Sequence, residues 1–216
     1  HADNIERAKG HYLAAGHMTD AMGGLGALMQ IGGEAFDEAL NHFYARWRDE
    51  PLVVDKWFSI QAQSPAPDAL DRVVALTRHA AFEAKNPNRL RALVGAFAGG
   101  NPVRFHSPDG AGYRFLADQI LATDKFNPSV AARLVEPLGS WRRYTPALGE
   151  QMRAELRRIG VNVNQIARAL NTAVLEGKVL DLELSYLDAL RSEIRGHIAA
   201  LGEAFEGNLA YWRGEP

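Results

Sequence analysis

Seven histidines are the first residues to test for chemistry, because imidazole is both a general base and a common metal ligand. They stand at His1, His11, His17, His42, His79, His106 and His197. A hydrolytic zinc site on a helix takes two imidazoles one turn apart, with a glutamate directly after the first, the HExxH pattern. None of the seven is followed by Glu, and the six-residue spacing of His11 and His17 puts them on different sides of a helix. The absence of cysteine removes thiolate nucleophiles, thiolate zinc sites and disulfides, and fits a reducing cytoplasm. No GxSxG elbow offers a serine nucleophile. The glycine clusters "GGLG" at Gly23 and "GAFAGGNP" at Gly95 lack a preceding strand and the Lys-Ser/Thr ending of a phosphate loop, so they read as turns and close helix packing. No catalytic residue and no metal ligand set is expected inside this chain.

The chemistry that remains is polar recognition. "NPNRLRALVGAFAGGNPVRFHSPDGAGYRFL" gathers Asn86, Asn88, Arg89, Arg91, Asn101, His106 and Asp109 around an apolar helix. Asn and Asp suit caps and turns, while an arginine on a concave face can read a carboxylate. A second group, Asn162, Asn164, Gln165, Arg168 and Asn171, follows "ELRRIG". Such side chains can meet base edges or a partner, and they serve equally well as surface residues. Arg142, Arg143, Arg153, Arg157, Arg158 and Arg168 add a local basic patch. From Gly160 onward, however, eight acids oppose five bases, a net −3, and the whole chain carries −2. This argues against a nucleic acid as main partner, since phosphate contacts supply much of that affinity.

The elements that must position these groups are helices. With 216 residues, 47% hydrophobic and 23% charged, the chain can bury one or two cores, and no apolar run reaches membrane-spanning length. Apolar residues recur at three and four from Glu34 to Trp47, Leu52 to Ala62, Asn88 to Ala98, Gly112 to Ala122, Pro128 to Leu138 and Thr145 to Ile159. Thr19 is placed to cap a helix over Met22–Met29, Ser64 to cap the one carrying Leu70–Leu76, and Asn162 or Asn164 to cap another. From Asp3 to Ala15 the apolar positions are too sparse to define a core face. Short helices joined by Pro, Gly and Asn loops predict an all-α fold, an α-solenoid of stacked hairpins. After a break near Gly177, a long amphipathic helix is expected over about 181–212, with a narrow stripe suited to its own chain or to self-association.

"LVVDKWFSIQAQSP", "NPNRLRALVGAFAGGNPVRFHSPDGAGYRFLADQI" and "NPSVAARLVEPLGSWRRYTPALGEQMRAEL" together resemble the C-terminal helical domain of bacterial aminopeptidase N, a zinc metallopeptidase of the gluzincin type. The resemblance runs from about residue 3 to 156. It implies a non-catalytic bowl of ARM/HEAT-like helices that encloses the active-site chamber and gates peptide entry, with the catalytic domain as partner. It also implies that Arg91 and Arg133 face that chamber as substrate-side contacts. Zinc and its ligands belong to the parent enzyme, so no cofactor is expected here and the chain alone is expected to be inactive. A chain that opens on His1 is expected to begin inside something larger, or to have been processed.

"LRRIGVNVNQIARALN" and "LDLELSYLDALRSEIRGHIAAL" resemble the C-terminal part of plasmid mobilisation proteins, the relaxosome accessory family. That resemblance implies a relaxase as partner, or self-association through the terminal helix, in DNA transfer. Two domains are therefore expected: residues 1–158 as the aminopeptidase-N-type helical repeat and 159–216 as a mobilisation-protein-like helical tail. "ELRRIG" is the expected seam.

Overall fold

The computed structural model describes residues 2–175, with side chains over 2–162, and its regular elements are helices, with no strand among the described residues. It divides into one compact unit of residues 1–159 and a second from Gly160. In the first unit, α1 (Ala2–Leu13), α2 (Met18–Ile31), α3 (Glu34–Trp47), α4 (Pro51–Ala62) and α5 (Ala69–Leu76) pack each on the next. These are the stacked antiparallel neighbours of a helical repeat. The sparse first segment is a helix after all. It buries only Ala8 and Tyr12, and it is held because Gly24 on α2 lets the α1 backbone come close. Gly32 and Gly33, at φ +73° and +74°, turn the chain between α2 and α3 in a region that L side chains rarely enter.

The core of this unit is aromatic and aliphatic. Leu25, Leu28, Phe36, Phe43, Phe58, Leu93, Phe97, Phe105, Tyr113 and Leu116 are all essentially inaccessible. Trp57 is buried with its indole N–H donating to the Leu40 carbonyl at 3.1 Å, which answers the one polar atom its burial would orphan.

Beyond α5 the elements shorten. A four-residue α6 (Pro87–Leu90) opens into a π-turn (Arg91–Gly95), then α7 (Ala96–Gly100) and α8 (Pro102–Phe105). The helix expected from Asn88 to Ala98 is present: residues 87–100 run on without a gap, with helical dihedrals at Leu90, Arg91, Gly95 and Ala96, and the run widens to π spacing over Arg91–Gly95. α9 (Ala111–Asp124) packs on α10 (Pro128–Leu134). The helix expected to reach Leu138 stops at Leu134 and restarts as α11 (Glu136–Gly139), because Pro137 has no N–H and crowds the preceding turn. A 3₁₀ turn (Trp141–Arg143) leads into α12 (Pro146–Leu175).

Three expected caps are corrected. α2 starts after His17, so Thr19 lies inside it. Ser64 accepts the Ala66 N–H at 3.3 Å in a turn, and α5 begins only at Ala69, after the two prolines. Asn162 and Asn164 are interior to α12, which runs through Gly160 without interruption. One helical glycine costs about 1 kcal/mol, too little to end a long helix. The break near Gly177 and the long helix over 181–212 lie outside the described residues.

Candidate functional site: the Asn86–Gly95 turn and its supports

Asn86 caps α6. Its side-chain oxygen accepts the N–H of Asn88 at 3.0 Å and of Arg89 at 3.4 Å, and Pro87 supplies a fixed φ at the first helical position. Along this stretch Arg89, Leu90, Ala92, Leu93 and Val94 are buried, and Arg91 is exposed. Arg89 points inward: it is 7% exposed, pairs with Asp55 of α4 at 3.0 Å, and lays its guanidinium over Phe58 at 5.2 Å. The pairing is charge against charge. Arg89 Nε and Nη1 and Asp55 Oδ1 are buried without a well-aligned hydrogen bond. Arg91 points outward and is exposed, with its Nε donating to the Pro87 carbonyl at 3.3 Å and its Nη2 donating to the Asn88 side-chain oxygen.

The π-turn beneath Arg91 is supported from α4. Ser59 donates its hydroxyl proton to the Ala92 carbonyl at 2.9 Å, while Ala92, Leu93 and Val94 are buried. Widened turns of this kind leave backbone carbonyls off the regular ladder, and they recur at functional positions. At the far end, Asn101 is 2% exposed and ties the start of α8 to the stretch that ends α4. Its amide donates to the carbonyls of Ala62 at 2.9 Å and Ser64 at 2.7 Å, and its oxygen accepts the Arg104 N–H at 3.2 Å.

Arg133 is exposed on α10, between the buried Ala131 and Leu134, and Asn127 caps that helix by accepting the Val130 N–H at 3.2 Å. The elements carrying the two arginines have different supports: the π-turn rests on α4, whereas α10 rests on α9. Asn162, Asn164, Gln165, Arg168 and Asn171 all fall within α12. The basic patch is partly compensated. Arg153 pairs with Glu150 at 2.6 Å, and Arg158 pairs with Glu155 at 2.6 Å and Asp118 at 2.8 Å. Arg142 and Arg153 each place a guanidinium 4.8 Å from the centre of the Trp141 ring.

Two histidines are set in aromatic surroundings. His79 lies against Tyr44, Trp57 and Phe58, and its Nδ1 accepts the Ala81 N–H at 3.1 Å. His106 stacks on Tyr144 at 4.1 Å and shares a 2.9 Å hydrogen bond with the Tyr113 hydroxyl. Burial lowers both imidazole pKa values, and it pushes the Tyr113 hydroxyl up to about 12, with Tyr144 adding to the rise. Neither imidazole adjoins a carboxylate set. Among the described residues no group of three or more His, Asp or Glu side chains could hold a metal ion, so these residues do not fit a zinc site. No described helix is long and apolar enough to cross a membrane.

Asp55 and Ser59 were missed as partners of this turn. The single acid in "LVVDKWF" was a signal, since an aspartate amid apolar residues on a buried helix asks for a cation.

Fold and turn together define a helical-repeat unit with Arg91 and Arg133 exposed on its surface. The chain belongs to the DUF3458_C family, described as ARM repeats, whose model matches residues 1–174. It is 57% identical over 173 residues to aminopeptidase N of Caulobacter vibrioides, covering 80% of this chain and 20% of that protein. Against aminopeptidase N of Escherichia coli it is 43% identical over 145 residues, covering 67% of this chain and 17% of the relative. The solved structure of Legionella pneumophila aminopeptidase A in complex with aspartic acid matches with a TM-score of 0.70 at 38% identity, over 73% of this chain and 19% of that one. The chain thus spans about a fifth of the length of these relatives. A second family model, bacterial mobilisation protein (MobC), matches residues 154–195.

Proposed function

We propose that this chain serves as the closing helical domain of an aminopeptidase N-like zinc metallopeptidase. The observation that carries the reading is the 57% identity to aminopeptidase N, confined to a fifth of that protein and coinciding with a helical-repeat unit. In this role residues 1–158 wall the active-site chamber and gate peptide entry. Arg91 and Arg133 meet the substrate, and the catalytic domain is the partner. That domain supplies the zinc, which polarises the scissile carbonyl and activates water. The role of residues 1–158 in this reading is to admit and orient substrate. The reading places the protein in the cytoplasm.

The test begins with the transcript upstream of His1, expected to encode HExxH and a downstream glutamate. The full-length protein should hydrolyse leucine p-nitroanilide and lose that activity to a chelator. In it, Arg91→Ala and Arg133→Ala should raise KM for a tetrapeptide by roughly tenfold with kcat little changed, the signature of lost substrate binding. A reading frame that starts beside His1, or a full-length protein without peptidase activity, would refute the proposal.

The match of residues 154–195 to a mobilisation protein favours a second reading for the tail, taken as residues 159–216. Here Asn162, Asn164, Gln165, Arg168 and Asn171 contact a relaxase or DNA, or the terminal helix pairs with a second copy. Binding of transfer-origin duplex that weakens steeply between 50 and 200 mM salt would support DNA contact. Salt-independent or absent binding would leave only protein partners.

A further inference from the structure

The guanidinium of Arg91 has two edges that can grip a planar anion: the Nε/Nη2 side and the Nη1/Nη2 end. The first is occupied within the chain, since Nε donates to the Pro87 carbonyl at 3.3 Å and Nη2 donates to Asn88 Oδ1. The end edge, with both protons of Nη1, takes no partner among the described residues. An exposed arginine ordinarily samples many rotamers, and ordering it opposes any ion pair it makes. Here that ordering is already supplied by two acceptors three and four residues earlier.

The backbone beneath is fixed as well. Arg91 is the first residue of the π-turn. Ser59 holds the next residue's carbonyl at 2.9 Å, and Arg89, two residues earlier, is anchored inward on Asp55. Asn88 is itself ordered by the Asn86 cap, which takes its N–H at 3.0 Å. From Asn86 to Ala92, then, each polar group either holds the turn or aims Arg91.

We infer that Asn88 is a positioning residue that presents the free end edge of Arg91 as a fork for a carboxylate, so that the turn selects ligands carrying one. This rests on the reading of Arg91 as a substrate-side contact, and it names the chemical class that contact would take. A neutral amide side chain suits the task because an aspartate at position 88 would neutralise the fork, whereas asparagine orients it and leaves the positive charge for the ligand. The carboxylate could come from a peptide C-terminus or from an acidic side chain, and both present the same pair of oxygens.

The experiment follows the Arg91 Nε–Hε resonance of the full 216-residue chain by NMR, with assignment confirmed by its disappearance in Arg91→Lys. Three probes are titrated separately: Ala-Ala-Ala with a free C-terminus, the same peptide amidated, and amidated Ala-Glu-Ala. The expected result is a saturable shift with a carboxylate-bearing probe at an affinity on the order of tenfold or more above the fully amidated peptide. Response to Ala-Ala-Ala alone assigns the C-terminus, and response to amidated Ala-Glu-Ala assigns the acidic side chain. Asn88→Ala should reduce the carboxylate preference several-fold with an unchanged amide spectrum elsewhere. Asn88→Asp should abolish it, although an aspartate keeps the hydrogen bond to Arg91 and a purely structural role would therefore tolerate it.

An equal response to all three probes, or a preference that survives both Asn88 variants, would overturn the inference. Neither result depends on peptidase activity. A full-length protein without hydrolysis would sink the functional reading and leave the fork standing, and a carboxylate-blind Arg91 would do the reverse.

Discussion

At the scale of single residues, the most exposing test concerns Arg89 and Asp55, whose side chains retain only 8% and 19% of their accessibility. Two ions taken this far out of water are stabilised by each other, and removing one leaves the other uncompensated. Asp55→Ala should therefore lower unfolding free energy by about 3–5 kcal/mol in a urea titration, whereas Arg89→Met combined with Asp55→Leu should cost far less. A single Asp55→Ala variant as stable as the parent would show that the pair is not desolvated in solution. The two aromatic-lined histidines make a prediction about pH. Burial lowers the pKa of His79 and His106, so near neutrality the unfolded chain binds more protons than the folded one. Stability from these groups is full above the unfolded imidazole pKa of about 6.5, and it declines as pH falls below that value toward the lowered folded pKa. Melting temperature should drop between pH 7.5 and pH 5.5, and the drop should shrink in His79→Asn, which can still accept the Ala81 N–H but does not titrate. An unchanged slope in that variant and in His106→Asn would assign the acid sensitivity elsewhere. Asp124 works in the opposite sense, since burial raises its carboxyl pKa and acidification relieves that cost.

At the scale of elements, two glycines of one helix should respond with opposite signs. A Cβ at Gly24 would lie 2.7 Å from the Tyr12 backbone, so Gly24→Ala must force α1 away from α2, at a cost of about 1–3 kcal/mol. A Cβ at Gly26 meets nothing within 4 Å, so Gly26→Ala should stabilise by about 0.5–1 kcal/mol. Thermal melting of both decides it, and a Gly24→Ala variant at or above the parent would mean the two helices are not in close contact. These same helices show what the sequence could and could not disclose. The stripe from Glu34 to Trp47 was legible because Phe36, Leu40 and Phe43 repeat at helical spacing, and that helix forms with those residues buried. α1 was not legible, since it buries only Ala8 and Tyr12 and depends on the small Gly24 of its neighbour to bring Tyr12 close. The π-turn was hidden for a related reason: Ser59, which takes up the Ala92 carbonyl, lies 33 residues away. Asn88 and Arg91 could be picked out by type, but that one orients the other depends on where the turn places them. Asn101 reads locally as a helix cap, and its two bonds to the end of α4 appear only in the fold. Asn101→Ala would strand two buried carbonyls, and roughly 2–4 kcal/mol should be lost, again measurable in urea.

At the scale of the whole molecule, the two families that the chain matches overlap over residues 154–174, and α12 runs through that overlap without a break. A junction inside a helix is physically undemanding, because only the period of the buried stripe has to be continued across it. Nothing in the backbone need mark the change: Gly160 interrupts neither the hydrogen-bond ladder nor the helical dihedrals enough to end it. What should mark it is stability. In the first unit the last buried side chains on α12 are Met152, at 0% exposure, and Ile159, at 7%. Gln151 reaches back to the Pro108 carbonyl at 2.9 Å, and Arg158 reaches Asp118 at 2.8 Å. A chain ending at Asn162 keeps all four, and if the helical-repeat unit is self-sufficient its melting temperature should stay within a few degrees of the full chain. A chain ending at Gly149 removes two buried apolar side chains and should lose about 3–6 kcal/mol, at roughly 1.5–3 kcal/mol for each. The comparison of the two truncations separates residues that belong to the repeat from those that merely follow it in the same helix. If the Asn162 truncation is as damaged as the Gly149 one, the repeat draws on residues beyond Ile159, and a domain boundary at 158 and 159 is wrong.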